Sequence, residues 1–314
     1  MSEIESYCKE LKARLEPTEN QKKTIKSRLD NLRAILEEDS YFHKPPELSQ
    51  KTYLHGSYLR NTMIRKASIG KWDVDIMVIF KKLIPNWMAN ESTTTQPKPQ
   101  SVFDIMKVHL VNTPPLNRLI IKQDFPCITV SYKSDNLDFE IMPVYFCDPN
   151  FHNDDPKEKM FSIPHTHEDW KSVFPLKFNK EISSINNLYD GKLVHTIKLL
   201  KHWNNSNGKL MSSFLIENLA LRFFIEWARA STDNLSLYLL IYIRGFFSKA
   251  LEWLSENFFT PFRPSILDDD RTYLDEIYIV RPNLRKKLRT NLEYIHRLLS
   301  NENLNNWKIV FPYI

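Results

Sequence analysis

The sequence predicts an α+β fold in two lobes, a strand-rich one over residues 1–185 and a helical one over 186–314. Three observations predict it. β-rich runs with alternating apolar and polar residues are confined to the first half, at 52–58, 72–80 and 126–146. From residue 187 onward the apolar residues recur at helical spacing instead. A chain of 314 residues with 42% hydrophobic content is also long enough for two cores, and it carries no repeats or low-complexity tracts.

The elements follow in order. Residues 3–39 place Leu11, Leu15, Ile25, Leu29, Leu32, Ile35 and Leu36 at helical spacing, interrupted at "EPTENQ", where Pro17 stops one helix and Thr18 caps the next. After the loop "HKPPELSQ", "TYLHGSY" reads as a strand entering a turn and "YLRNTMI" as a short helix. "WDVDIMVIF" is the next strand, "ANESTTTQPKPQS" (89–101) an exposed polar loop, and "VFDIMKVHLVN" a helix. "PCITVSY" and "LDFEIMPVYF", joined by "KSDN", read as an antiparallel hairpin. Residues 148–185 read as a loop-rich bridge. Helices are then expected in "LVHTIKLLKHWNN", "SSFLIENLALRFFIEWARA", "LSLYLLIYIRGFFSKALEWLSENF" and "RPNLRKKLRTNLEYIHRLLSN".

Composition excludes several classes. Cys8, Cys127 and Cys147 are widely spaced and include no CxxC pair, so free thiols are expected rather than a disulfide framework or a zinc knuckle. The N-terminus lacks the apolar core of a signal peptide, and the greasiest run is broken at Arg244, too early to span a bilayer. A cytoplasmic protein with no membrane segment is expected. His152, His165 and His167 match no compact metal-ligand spacing, and the acidic triplet at 268–270 reads as a surface cluster. The net charge of +5 suits a polyanionic ligand such as nucleotide without requiring one.

The chemistry lies in the acids. Residues i and i+2 of a strand share a face, so Asp73 and Asp75 stand side by side while Val74 and Ile76 point the other way. Like charges held together require a cation, either a basic side chain or a metal ion. Glu140, with Asp138 two residues before it, repeats the pattern on a later strand. Three carboxylates converging at a sheet edge form the ligand set of a two-metal phosphoryl-transfer site. Gly56 and Ser57, at a strand-to-helix turn, supply backbone N–H groups and a hydroxyl suited to a triphosphate. No GxxxxGK[ST] or GxGxxG is present, which closes the P-loop and Rossmann routes.

The succession "HGSYLRNT", "DVDIMVIF", "DFEIMPVYF", "WKSVFP", "LLKHWNN" and "SSFLIENLAL", running on to the closing "WKIVFP", resembles the bacterial cGAS/DncV-like nucleotidyltransferases, relatives of the oligoadenylate synthetases. The resemblance implies a polymerase-β-like nucleotidyltransferase core, a mixed sheet with flanking helices, joined to a helical substrate-binding lobe. It implies that Asp73, Asp75 and Glu140 ligate two Mg²⁺ ions, with Mn²⁺ as an alternative, and that Gly56 and Ser57 hold the donor triphosphate. Lys201 matches the family lysine that reaches donor phosphates, Ser213 a serine near them, and Phe214 stands where many members stack a tyrosine on the base. Arg60, Thr62 and Arg65 would line the acceptor side. Many members carry Asp where this chain has Glu140, and the interval from Ser57 to Asp73 is longer than in the smallest nucleotidyltransferases. The implied activity is template-independent synthesis of a cyclic di- or trinucleotide second messenger from NTPs, in anti-phage signalling. A regulatory protein and a downstream effector would be its partners, and nucleic acid would serve at most as an activator. The competing expectations are a linear oligonucleotide synthetase or a nucleotidyltransferase acting on RNA or a small acceptor, and, from another class, an inactive ligand- or RNA-sensing module.

Overall fold

The computed structural model describes residues 3–42, 44, 48–65, 71–80, 97–147, 160–230, 239–255, 282–300 and 303–312. They group into a sheet unit, Thr18–Leu59 with Ser68–Asn179, and a helical unit, Met1–Pro17 with Arg60–Ala67 and Lys180–Ile314. This grouping differs from a single division at 185/186, because the first helix and the stretch after Leu59 cluster with the helices.

Helices α1 (Glu3–Leu15) and α2 (Glu19–Glu38) are separated where the sequence places the break. Thr18 closes a capping box: its hydroxyl accepts from Gln21 N, and its own N–H donates to Gln21 Oε1 at 2.8 Å. Strand β1 (Thr52–His55) leads into a single helical turn, α3 (Gly56–Leu59). The expected helix over 58–64 is therefore displaced. It starts at the glycine and stops before Asn61, whose φ of 55° is left-handed.

Next come β2 (Trp72–Ile79) and α4 (Pro99–Asn112), the latter with its proline in the first turn, so 99–101 is helix rather than loop. Residues 89–96 of the expected loop lie outside the described residues. Strands β3 (Ile120–Asp124), β4 (Cys127–Tyr132) and β5 (Leu137–Cys147) follow. Between β4 and β5, "KSDN" forms one 3₁₀ turn closed by left-handed Asn136, and the hairpin is antiparallel as expected. The bridge expected to be loop-rich contains β6 (Met160–Pro164), β7 (Trp170–Val173) and the start of α5 (Pro175–Leu188).

Among the described residues these strands make one sheet in the order β1-β2-β5-β4-β3, with β6 on the C-terminal end of β5 and β7 on β6. The β2–β5 pair is parallel, which makes the sheet mixed. Pro143 is tolerated in β5 because β4 stops pairing at Ile141 and β6 begins at Tyr145. Helix α2 holds β1 through charge-assisted bonds: Glu37 accepts from Lys51 N and Thr52 N at 2.8 and 2.7 Å, and Arg33 Nε donates to Thr52 Oγ1 at 3.0 Å. One apolar cluster gathers Tyr53, Met77, Ile79, Met142, Val144 and Phe161 from four strands.

The helical unit continues with α6 (Lys192–Ser206), α7 (Ser213–Ala230), α8 (Leu239–Ser255), α9 (Pro282–Leu299) and α10 (Leu304–Val310). Helix α6 is buried almost throughout. The Tyr7 hydroxyl of α1 donates to Phe311 O, and His202 of α6 donates to Pro312 O at 2.6 Å, so the closing "WKIVFP" is tied to the core, with Trp307, Val310 and Phe311 buried. Cys8 and Cys127 are free and buried. Among the described residues no helix is long and apolar enough to cross a membrane.

His195 of α6 faces Cys8 O at 3.2 Å. Burial, with Lys12 and Lys198 adding repulsion and the hydrogen bond to Cys8 opposing, lowers its imidazole to about 4. The unfolded chain protonates near the ordinary value of about 6.5, so the stabilisation is complete above that pH and is lost as pH falls from there toward 4. The lowered value corresponds to about 3 kcal/mol. Urea unfolding at about pH 7.5 and about pH 4.5 should show a smaller drop in stability for His195→Asn than for the parent chain. Equal drops would contradict the assignment.

Candidate active site

Two strands and a turn build the site within the sheet unit. The alternation in "WDVDI" buries Trp72, Val74 and Ile76 and leaves Asp73 and Asp75 half-buried on the opposite face. In β5, Leu137, Phe139 and Ile141 are buried while Asp138 and Glu140 are not fully covered. The parallel register sets Asp75 beside Glu140 and Asp73 beside Asp138. Four carboxylates thus share one face of adjacent strands.

Asp138 has a cation of its own, Lys71 Nζ at 3.0 Å from its Oδ2. The remaining acids are the three expected, Asp73, Asp75 and Glu140. Cys127 registers their field: burial first, then the charges of Glu140, Asp75 and Asp124, push its thiol well above the ordinary range. Across the other edge of β5, Thr129 of β4 pairs with Glu140 and Ser131 with Asp138. These hydroxyl-bearing neighbours were not anticipated, although their alternation in "CITVSY" marks the face they occupy.

The turn meets the acids directly. His55 pairs with Asp75 across β1 and β2, and Gly56 follows at a φ of 71°. A Cβ on Gly56 would stand 1.8 Å from Asp75 Oδ2. The main chain of the turn therefore lies against this carboxylate, where only glycine fits, with Ser57 next in sequence. Gly56, Ser57, Asp75 and Glu140 are brought together, and Asp73 stands two residues along the same face.

The candidate donors are three carboxylates, hard oxygen ligands of the kind that suits Mg²⁺ or Mn²⁺ better than softer metals. Among the described residues, no three His, Cys, Asp or Glu side chains converge into a ready metal cage. The residue types, the register and the close approach at Gly56 all fit the expected ions.

The other expected residues lie in the helical unit. Ser213 opens α7 exposed and Phe214 is half-buried, while the helix is capped one residue earlier by the Ser212 hydroxyl, which accepts from Leu215 N at 3.1 Å. Asn204 holds Met211 through both amide atoms, at 2.8 and 2.9 Å, and so fixes the α6–α7 connection. Lys201 is only 3% exposed. Its ammonium donates to Thr62 O at 3.1 Å, to Thr62 Oγ1 at 3.2 Å and to Glu217 Oε1.

Glu217 is the residue that the sequence reading missed. Its Oε2 accepts from Arg60 Nε and Nη2 at 2.6 and 2.5 Å, and its Oε1 from the Thr62 hydroxyl and Lys201. Burial pushes the carboxyl up, but Lys201 and Arg60 outweigh burial and hold it below its ordinary value. Arg60 and Thr62, expected on the acceptor side, are thus engaged with a buried carboxylate; Arg65 is exposed. A signal was available in the sequence: Glu217 falls in the stripe with Ala220, Leu221 and Phe224, an acid on an otherwise apolar helix face. Of the expected histidines, His167 Nδ1 meets Gln100 Oε1 at 2.8 Å and His165 lies in the turn before β7. His152 and the acidic triplet at 268–270 lie outside the described residues.

Comparison with known proteins places this geometry in context. The Second Messenger Oligonucleotide or Dinucleotide Synthetase domain matches residues 1–186. A probable cyclic nucleotide synthase of Bacillus cereus is 24% identical over 189 residues, 54% of this chain and 54% of that protein. The cyclic AMP-AMP-AMP synthase of an Acinetobacter species is 24% identical over 238 residues, 73% of this chain and 61% of that protein. The chain therefore spans between half and two thirds of the length of these curated relatives. Among solved structures, Escherichia coli CdnC with ATP superposes with a TM-score of 0.66 at 13% identity, over 98% of this chain and 96% of the other, a likeness of fold.

Proposed function

Because the chain belongs to the Second Messenger Oligonucleotide or Dinucleotide Synthetase family, we propose that it joins NTPs, without a template, into a cyclic di- or trinucleotide second messenger. The observation that carries this reading is the pairing of Asp75 with Glu140 under the main chain of Gly56. In the reaction a ribose hydroxyl oxygen bonds to the α-phosphorus of an NTP, the α–β phosphoanhydride bond breaks, and pyrophosphate leaves. The last such step, within the linear intermediate, closes the ring: the second for a dinucleotide and the third for a trinucleotide.

Asp73, Asp75 and Glu140 are the residues that would hold two divalent ions, Mg²⁺ or Mn²⁺, whose charge when bound neutralises the phosphates. Gly56 and Ser57 donate a backbone N–H and a hydroxyl to the donor triphosphate, and the missing Cβ lets the Asp75 carboxylate lie against this turn. In the helical unit, Ser213 is the proposed phosphate contact and Phe214 the proposed stacking surface for a base, while Lys201, whose three N–H donors are held by Thr62 and Glu217, would have to release one of them to reach a phosphate. The protein's own part is positioning and charge. The family resemblance extends the proposal to anti-phage signalling, with a regulatory protein upstream and an effector that reads the product.

The third acid provides the test. Glu140 neighbours Asp75, whereas Asp138 is engaged with Lys71. Glu140→Gln should lower Mg²⁺-dependent pyrophosphate release by about a hundredfold or more, and Asp138→Asn by less than about threefold. The reverse ranking would move the ligand set by two residues and contradict the assignment.

A further inference from the structure

We infer that Lys122 binds the 5′-phosphates of the acceptor nucleotide, on the flank of the acids opposite the turn of Gly56 and Ser57; the inference rests on the synthetase reading above. The sheet register carries it. Direct cross-strand partners share a face, so the pairs His55–Asp75, Asp75–Glu140, Glu140–Thr129 and Thr129–Lys122 draw one row across β1, β2, β5, β4 and β3. Every member of that row belongs to the sheet unit. The row passes from the turn through two of the acids to a hydroxyl and then to a cation. Lys122 is exposed, whereas Gln123 beside it faces the other way, its Nε2 donating to Asp104 of α4 at 3.3 Å. Helix α4 therefore lies behind the sheet, away from the acids.

The chemistry follows from these positions. With the donor triphosphate at the Gly56 turn, the nucleotide that supplies the attacking hydroxyl lies on the other side of the acids, over β4 and β3. Lys122 stands two strand spacings, about 10 Å, from Glu140. Its four-carbon stem covers part of that span, and the ribose between the attacking hydroxyl and the 5′-phosphates covers the rest. Thr129 places a hydroxyl between the two. Asp124 shares the face two residues along β3, but among the described residues no ion pair joins it to Lys122. Of the residues expected on the acceptor side, Arg60 and Thr62 are held by Glu217 instead.

The test separates the two nucleotides. The donor is a 2′,3′-dideoxynucleoside triphosphate labelled at its α-phosphate, which cannot accept; the acceptor is an α,β-methylene nucleoside triphosphate, which keeps its phosphate charge but cannot donate. The full chain joins the pair of bases it prefers, with Mg²⁺ and desalted host lysate as activator, and labelled product is measured. Lys122→Gln should raise the acceptor KM about tenfold, the effect of one lost charge-assisted contact, and leave kcat within about threefold and the donor KM within about twofold. The same variant should match the parent when the acceptor is a nucleoside without phosphates, and Lys122→Arg should keep the acceptor KM within about threefold. Lys107 of α4, an exposed lysine behind the sheet, is the control, and Lys107→Gln should behave as the parent. A parent-like acceptor KM in Lys122→Gln, an equal rise in its donor KM, or an equal rise in Lys107→Gln would overturn the inference and leave the synthetase reading standing. A parent chain that joins no pair at all would overturn the synthetase reading, and the inference with it.

Discussion

Asp75→Asn should leave a folded protein that releases pyrophosphate from NTPs at about one-thousandth of the parent rate or less, a loss of about 4 kcal/mol in transition-state stabilisation. Asp75 is flanked by His55 on β1 and by Glu140 on β5, and the main chain of Gly56 lies against it. Asparagine keeps the size of the side chain and therefore the packing, but it removes the charge that makes the residue a ligand for a divalent ion. Because the side-chain volume is unchanged, the melting temperature should stay close to that of the parent chain. Asp73→Asn should behave alike. A coupled pyrophosphate assay with a parallel thermal melt tests both effects, and turnover within about tenfold of the parent would remove Asp75 from the reaction.

Gly56→Ala should be nearly as damaging, through geometry rather than charge. An alanine Cβ would stand 1.8 Å from Asp75 Oδ2 and 2.4 Å from its Cγ, so either the carboxylate or the turn must move. The φ of 71° adds a left-handed cost of about 1–2 kcal/mol for any residue with a side chain. Turnover should fall by about a hundredfold or more and stability by about 2–4 kcal/mol. Gly191 supplies the contrast. Its φ is 80° but nothing lies within 4 Å of the added atom, so Gly191→Ala should bear the backbone cost alone and keep its activity. Identical behaviour of the two variants would mean that Gly56 does not need to approach the acids closely.

What was legible in the sequence was local. The period-two alternation in "WDVDI" and "LDFEI" marks a polar face on each strand, and "KSDN" marks the hairpin, because both follow from neighbouring residues alone. The Thr18 capping box was legible for the same reason. Pairing between distant strands was not: only the register shows that Glu140, rather than Asp138, neighbours Asp75, and only the fold brings Lys71 to Asp138. The short strands β6 and β7, of five and four residues, carry too little alternation to stand out from a bridge rich in turn residues. Helix α3 begins at Gly56 because its positive φ turns the chain into the helix, so propensity alone misplaces the start. The grouping of α1 with the helical unit depends on contacts such as Tyr7 with Phe311 and His195 with Cys8, which join residues far apart in sequence. The Glu217 cluster was hidden likewise, although an acid in an apolar helical stripe asks for buried cations.

The measurement that bears most directly on the central claim is the nature of the product. The chain is incubated with the four labelled NTPs and Mg²⁺, with the activator supplied as a lysate from its host, then treated with phosphatase and resolved by mass. Ring closure consumes the triphosphate of the linear intermediate, so the account predicts a phosphatase-resistant oligonucleotide of about two or three units that is absent with Asp75→Asn. Products that all retain phosphatase-sensitive ends would contradict cyclic synthesis, and a resistant product made equally well by Asp75→Asn would contradict the active site itself.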